Sequence, residues 1–135
     1  MKKLKAVLLI DDDEPTNFIN KKIIQASGLV ETIYVANNGE QALKFLTTTQ
    51  ESTNSYPCPD LIFLDINMPA MDGWEFLIKY RQLETDLKAQ VVIVMLTTSL
   101  NADDEVRAKE ITEVHEYRNK PLTTQIIEEI VLKHF

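Results

Sequence analysis

Residues 61–77 read LIFLDINMPAMDGWEFL. The apolar run Leu61–Leu64 leads straight into Asp65, and a short loop containing Pro69 follows. Asp72-Gly73 then opens a stretch in which Phe76, Leu77, Tyr80 and Leu83 recur at helical spacing. A continuous aliphatic run of that length fits a strand covered on both faces, and the spaced set fits the inner stripe of a helix.

The same unit repeats along the chain. Ala6–Ile10 and Val91–Leu96 are further continuous apolar runs, and Ile33–Ala36 is a weaker one. Val114–Tyr117 is interrupted by His115 and Glu116 and reads as an edge strand. The first helix is expected to start at the N-cap Asp13 with Pro15 in its opening turn, to bury Ile19, Ile23 and Ala26, and to stop at Gly28. The second starts near Asn38-Gly39 and buries Ala42, Phe45 and Leu46. The fourth, Asp103–Glu110, is short and polar; the last carries Leu122, Ile126, Ile127, Ile130 and Val131 on one side. Strand–helix alternation predicts an α/β fold, a doubly wound parallel sheet of five strands with five helices on both faces. Residues 1–135 are expected to form a single domain with no effector domain. The polar segment Thr47–Pro59 is expected to connect the second helix to the third strand, with a mobile middle.

Composition narrows the partners. The chain has 135 residues and a net charge of −7. An acidic surface repels a phosphate backbone, which argues against nucleic acid, and it disfavours basic attachment to a membrane surface. The one cysteine, Cys58, excludes an internal disulfide framework and fits a reducing, cytoplasmic compartment. The opening MKKLKAVLLIDDD imitates a signal peptide, but its apolar run ends in aspartates with no small-residue cleavage pattern.

Ligand sites in parallel sheets of this kind lie beyond the carboxyl ends of the strands. There the first strand runs into Asp11, Asp12 and Asp13, the third into Asp65 and the fourth into Thr97-Thr98-Ser99, while Lys120-Pro121 follows the fifth. Grouped carboxylates repel each other unless positive charge sits among them. Lys120 offsets one, and a divalent cation would offset the rest. Oxygen ligands without a His/Cys cluster select magnesium or manganese over zinc. An aspartate can also act as a nucleophile and become an aspartyl phosphate, with a cation, a lysine and a hydroxyl around the phosphoryl oxygens. Asp13 reads as a helix cap. His115 and His134 read as surface residues.

The motifs IDDDEP, LDINMPAMDGWEFL, VIVMLTTS and YRNKP, in that order, resemble the receiver domain of two-component response regulators. The resemblance implies the strand order 2-1-3-4-5. It implies that Asp65 is the phosphoacceptor, that Asp12 binds Mg2+ (or Mn2+) directly with Asp11 acting through bound water, and that Asn67 contributes its main-chain carbonyl. Thr97 would be the switch hydroxyl, Lys120 the phosphate-pairing lysine and Tyr117 the aromatic that rotates inward. The interval from Thr97 to Lys120 is slightly longer than that family's, which keeps Thr98 as an alternative to Thr97. EITEVHEY also lacks the usual small-residue turn before the fifth strand. The implied function is a stand-alone, Mg-dependent phosphoacceptor rather than an enzyme with turnover. Its donor would be a sensor histidine kinase or histidine phosphotransfer protein, and its output an unidentified protein contacted as a monomer or weak homodimer. The alternatives are an intermediate phosphorelay carrier and a receiver-shaped interaction module that is never phosphorylated. An aspartate-based phosphatase would want a second acid where Asn67 stands. A flavin module would want a Ser/Thr/Gly-rich loop where Asp11–Asp13 stand.

Overall fold

The computed structural model describes residues 3–48, 58–68, 70–83, 91–98 and 101–135. Strands β1 (Leu4–Ile10), β2 (Val30–Ala36), β3 (Leu61–Asp65), β4 (Val92–Thr97) and β5 (Val114–Asn119) alternate with helices α1 (Glu14–Ser27), α2 (Gly39–Thr47), α3 (Gly73–Arg81), α4 (Ala102–Glu110) and α5 (Thr124–His134). The strands form one parallel sheet in the order β2-β1-β3-β4-β5. The expected α/β architecture and strand order are therefore present, with β5 at the edge. The middle of the polar segment before β3, residues 49–57, lies outside the described residues. No described helix is long and apolar enough to cross a membrane.

Strand alternation divides the core into two layers. Leu8, Ile10, Ile62, Leu64, Ile93 and Met95 face one side and pack under α2, α3 and α4, while Val7, Leu9, Leu61, Phe63, Val92 and Val94 face the other, under α1 and α5. Each fully buried aliphatic contributes about 1.5–3 kcal/mol of transfer free energy, so the doubly covered centre of the sheet dominates stability. Polar caps fix where each helix begins: Asp13, Asn38, Asp72, Asn101 and Thr123 each accept from a first-turn N–H. Leu122, expected inside the last helix, instead precedes its cap and is buried in the same cluster as Ile127, which staples the entry of α5.

Two local features, the inner face of α1 and the partner of His134, depart from the sequence expectation, whereas His115 stays exposed and α4 is weakly anchored as expected. On α1 the buried residues are Asn17, Asn20 and Ile24, whereas Ile19 is 54% exposed and Ala26 is exposed as well. The inner stripe thus lies one to two residues away from the apolar one and includes two amides. His134 is not a free surface group: its Nε2 lies 2.6 Å from Glu116 Oε2, and Arg118 joins Glu116 to Glu129 across β5 and α5. Strand β5 is bulged opposite Ile93/Val94, where His115 Nδ1 accepts from the Ile93 N–H at 3.3 Å. Helix α4 buries only Ala108, and Arg107 reaches across to stack on the Trp74 ring at 4.5 Å.

Candidate functional site

The carboxyl ends of the strands form one rim, and the polar residues picked out by the sequence stand along it. Asp11 and Asp12 follow β1, Asp65 ends β3, Thr97 ends β4 and Lys120 follows β5. Asp11 and Asp65 are 5% and 6% exposed, so two of the acids are almost removed from water. Carboxylate oxygens of Asp11, Asp12 and Asp65 lie within 4.8 Å of one another. Lys120 Nζ sits between two of them, 2.9 Å from Asp11 Oδ2 and 3.0 Å from Asp65 Oδ1.

The chain holds this arrangement by short local devices. Lys120 N–H donates to the Thr97 carbonyl at 2.7 Å, tying the end of β4 to the residue after β5, and the Lys120–Pro121 bond is cis. Thr97 is buried and Thr98 exposed, so Thr97 is the threonine enclosed at the rim. Gly73 lets α3 press against the strand it follows. A Cβ there would lie 2.8 Å from the Asp65 carbonyl oxygen, and the Gly73 N–H donates to the Ile66 carbonyl. Between them Ala70 adopts a left-handed conformation, φ 66°, which costs on the order of 1–2 kcal/mol in a residue with a Cβ.

The electrostatics are unbalanced. Burial pushes the Asp65 carboxyl above the ordinary carboxylate range; Lys120 opposes the rise, while the charges of Asp11 and Asp12 add to it. Burial draws the Lys120 ammonium down, but its hydrogen bonds to Asp11 and Asp65 outweigh that and hold it above the usual lysine value. One ammonium among three carboxylates leaves excess negative charge in a poorly solvated pocket. Hard oxygen donors with that deficit suit a divalent cation of the magnesium or manganese type.

Three further residues singled out by the sequence stand around the carboxylate group. Asn67 lies two positions beyond Asp65 and is exposed. Tyr117 pairs with Met95 within β5 and packs partly buried against the layer beneath α4; its shielded hydroxyl has no hydrogen-bond partner among the described residues. Asp13 is the N-cap of α1, bonding to Thr16, and stays out of the carboxylate group. Sequence reasoning missed Asn17, whose Nδ2 donates to the Asp11 carbonyl at 2.8 Å. The signal available was the spacing of Asn17, Asn20 and Ile24, a helical stripe passed over because two of its members are polar.

The family model for "Response regulator receiver domain" matches residues 7–132. Response regulator Rcp1 of Synechocystis sp. is 35% identical over 107 residues, covering 79% of this chain and 71% of that protein. Its Mn(2+)-bound crystal structure superposes with a TM-score of 0.72 at 31% identity, covering 93% of this chain and 91% of that one. A two-component response regulator from Cytophaga hutchinsonii superposes with a TM-score of 0.88 at 32% identity, over 98% of this chain and 97% of that chain. The chain spans only 30% of a further relative, the protein-glutamate methylesterase/protein-glutamine glutaminase of Halalkalibacterium halodurans, with 30% identity over 115 residues.

Proposed function

The chain belongs to the response regulator receiver domain family, and from that premise we propose that it is a phosphoacceptor switch in which Asp65 takes a phosphoryl group from a phosphohistidine. The observation that carries the reading is the position of Lys120 Nζ, in contact with both Asp11 and Asp65. In the transfer, an Asp65 carboxylate oxygen forms a bond to phosphorus as the phosphorus–nitrogen bond breaks, and the imidazole leaves with the bonding pair and takes up a proton. Asp11, Asp12, Asp65 and the Asn67 main-chain carbonyl would hold the divalent cation, Mg2+ or Mn2+, whose charge would offset that of the phosphoryl oxygens.

Lys120 keeps its proton at neutral pH and hands its Asp65 contact to a phosphoryl oxygen. The hydroxyl of Thr97 donates to a second oxygen, in preference to the exposed Thr98. Drawing Thr97 inward frees space beside β4 for Tyr117, and the surface built from α4, β5 and α5 changes its affinity for an output protein. The donor is a sensor histidine kinase or a histidine phosphotransfer protein in the cytoplasm, and the signal leaves by protein contact. Asn67, uncharged at the second position after Asp65, leaves a single nucleophilic carboxylate there, which fits a phosphoacceptor rather than a turnover enzyme.

Incubation with a small-molecule phosphodonor and Mg2+, read by intact mass, tests this. One added phosphoryl group is expected on the wild-type chain and none on Asp65→Asn. An adduct that survives that substitution, or none on the wild type, overturns the reading.

A further inference from the structure

We propose that Asn17 is a positioning residue for the divalent-cation site: by gripping the Asp11 carbonyl it fixes the peptide plane between Asp11 and Asp12 and so aims the Asp12 carboxylate. The inference rests on the reading of Asp11 and Asp12 as cation ligands given above. Asp11 is held at every polar group. Its N–H donates to the Ala36 carbonyl at 3.2 Å, and its Oδ1 accepts from the Asp13 N–H at 3.0 Å. Its Oδ2 accepts from Lys120 Nζ at 2.9 Å, and its carbonyl accepts from Asn17 Nδ2 at 2.8 Å.

Asp12 is the opposite case. It is exposed, yet one of its carboxylate oxygens stands in the acidic group with Asp11 and Asp65. Its side chain has no hydrogen bond or ion pair among the described residues. No side-chain partner holds it, so what the protein fixes is the Cα–Cβ bearing that its backbone sets. The peptide unit is planar, so the bearing of the Asp11 carbonyl sets the bearing of the bond that leads into Asp12. Among the described residues, the side chain that fixes that carbonyl is Asn17.

The cost of keeping an amide there supports a specific task. Asn17 is 4% exposed, and its Oδ1 is shielded without a hydrogen-bond partner among the described residues. A buried acceptor left unmatched weakens the fold. Two turns on, the same stripe of α1 carries the aliphatic Ile24. The amide orientation is dictated by chemistry, because a reversed amide would set two carbonyl oxygens against each other. Partners that orient ligands in this way typically change cation affinity by 10–100-fold.

The test is calorimetric titration of the unphosphorylated protein with Mg2+ alone, which needs no phosphodonor. Asn17→Ala is expected to raise the Mg2+ dissociation constant about tenfold, equivalent to ~1.4 kcal/mol. Ile24→Val, a loosening of the same helix face, is expected to bind Mg2+ as the wild type does. Should the alanine variant not fold, Asn17→Ser keeps a polar group that is too short to reach the Asp11 carbonyl, with the same expected loss. Wild-type affinity in the Asn17 variants, or an equal loss in Ile24→Val, overturns the positioning role alone. Absence of Mg2+ binding by the wild type overturns the cation site and the positioning role together.

Discussion

Most substitutions weaken a protein, but Asp12→Asn should strengthen this one when no divalent cation is present. The change is nearly isosteric, and it removes one negative charge from a group of three whose oxygens approach within 4.8 Å. At that separation two unit charges repel by about 3.5 kcal/mol at an effective dielectric of ~20 and by about 0.9 kcal/mol in bulk water. Asp12 is exposed and Asp11 is already matched by Lys120, so the relief lies toward the lower figure, roughly 1 kcal/mol. Thermal or urea unfolding in chelator should then show a melting temperature raised by about 3–5 °C. Saturating Mg2+ should reverse the order, because a cation at a hundred times its dissociation constant stabilises the wild type by about 2.7 kcal/mol and the variant by far less. An Asp12→Asn protein that is less stable than wild type in chelator, or that gains equally from Mg2+, would refute the account of the pocket as a charge-starved cation site.

Two further outcomes are expected from geometry outside the Asp11–Asp12–Asp65 cluster. Gly73→Ala places a methyl 2.8 Å from the Asp65 carbonyl and 3.0 Å from Ile66 Cα, main-chain atoms that cannot step aside; a loss of about 1–3 kcal/mol in urea unfolding is expected, and an unchanged midpoint would mean that α3 does not press on β3. Burial raises the Glu116 carboxyl, but hydrogen bonds from Arg118 and His134 outweigh it and leave the group below the ordinary range, so its contribution to stability is present above about pH 4.3 and fades as pH falls through the lower folded value. Glu116→Gln should flatten that acid limb in a stability–pH series, and an unaltered slope would show the β5–α5 network to be idle.

The centre of the sheet was readable because β1, β3 and β4 carry continuous apolar runs, as strands covered on both faces do, whereas the edge strands β2 and β5 gave weaker, interrupted signals. The strand ends then located Asp11, Asp12, Asp65 and Lys120 on one rim before any contact was known. What escaped the sequence depends on partners distant in the chain. Asn17 looks like a surface amide until the Asp11 carbonyl turns inward to meet it, and His134 looks like a frayed terminus until Glu116 reaches it from β5. The inner face of α1 was misassigned for the same reason, because an apolar count gives no weight to an amide that is buried for its hydrogen bond. Spacing leaves Thr97 and Thr98 as alternatives, and their difference in burial, Thr97 enclosed at the end of β4 and Thr98 exposed beyond it, is not legible in the sequence.

The stack of Arg107 on Trp74 has a practical consequence. The chain contains one tryptophan, so emission excited at the red edge of the absorption band, where tyrosine does not absorb, comes from a single indole of α3 on which Arg107 of α4 rests. Arg107 can rest on that ring only while α4 keeps its place, so the light from this indole is a built-in, unlabelled gauge of that helix.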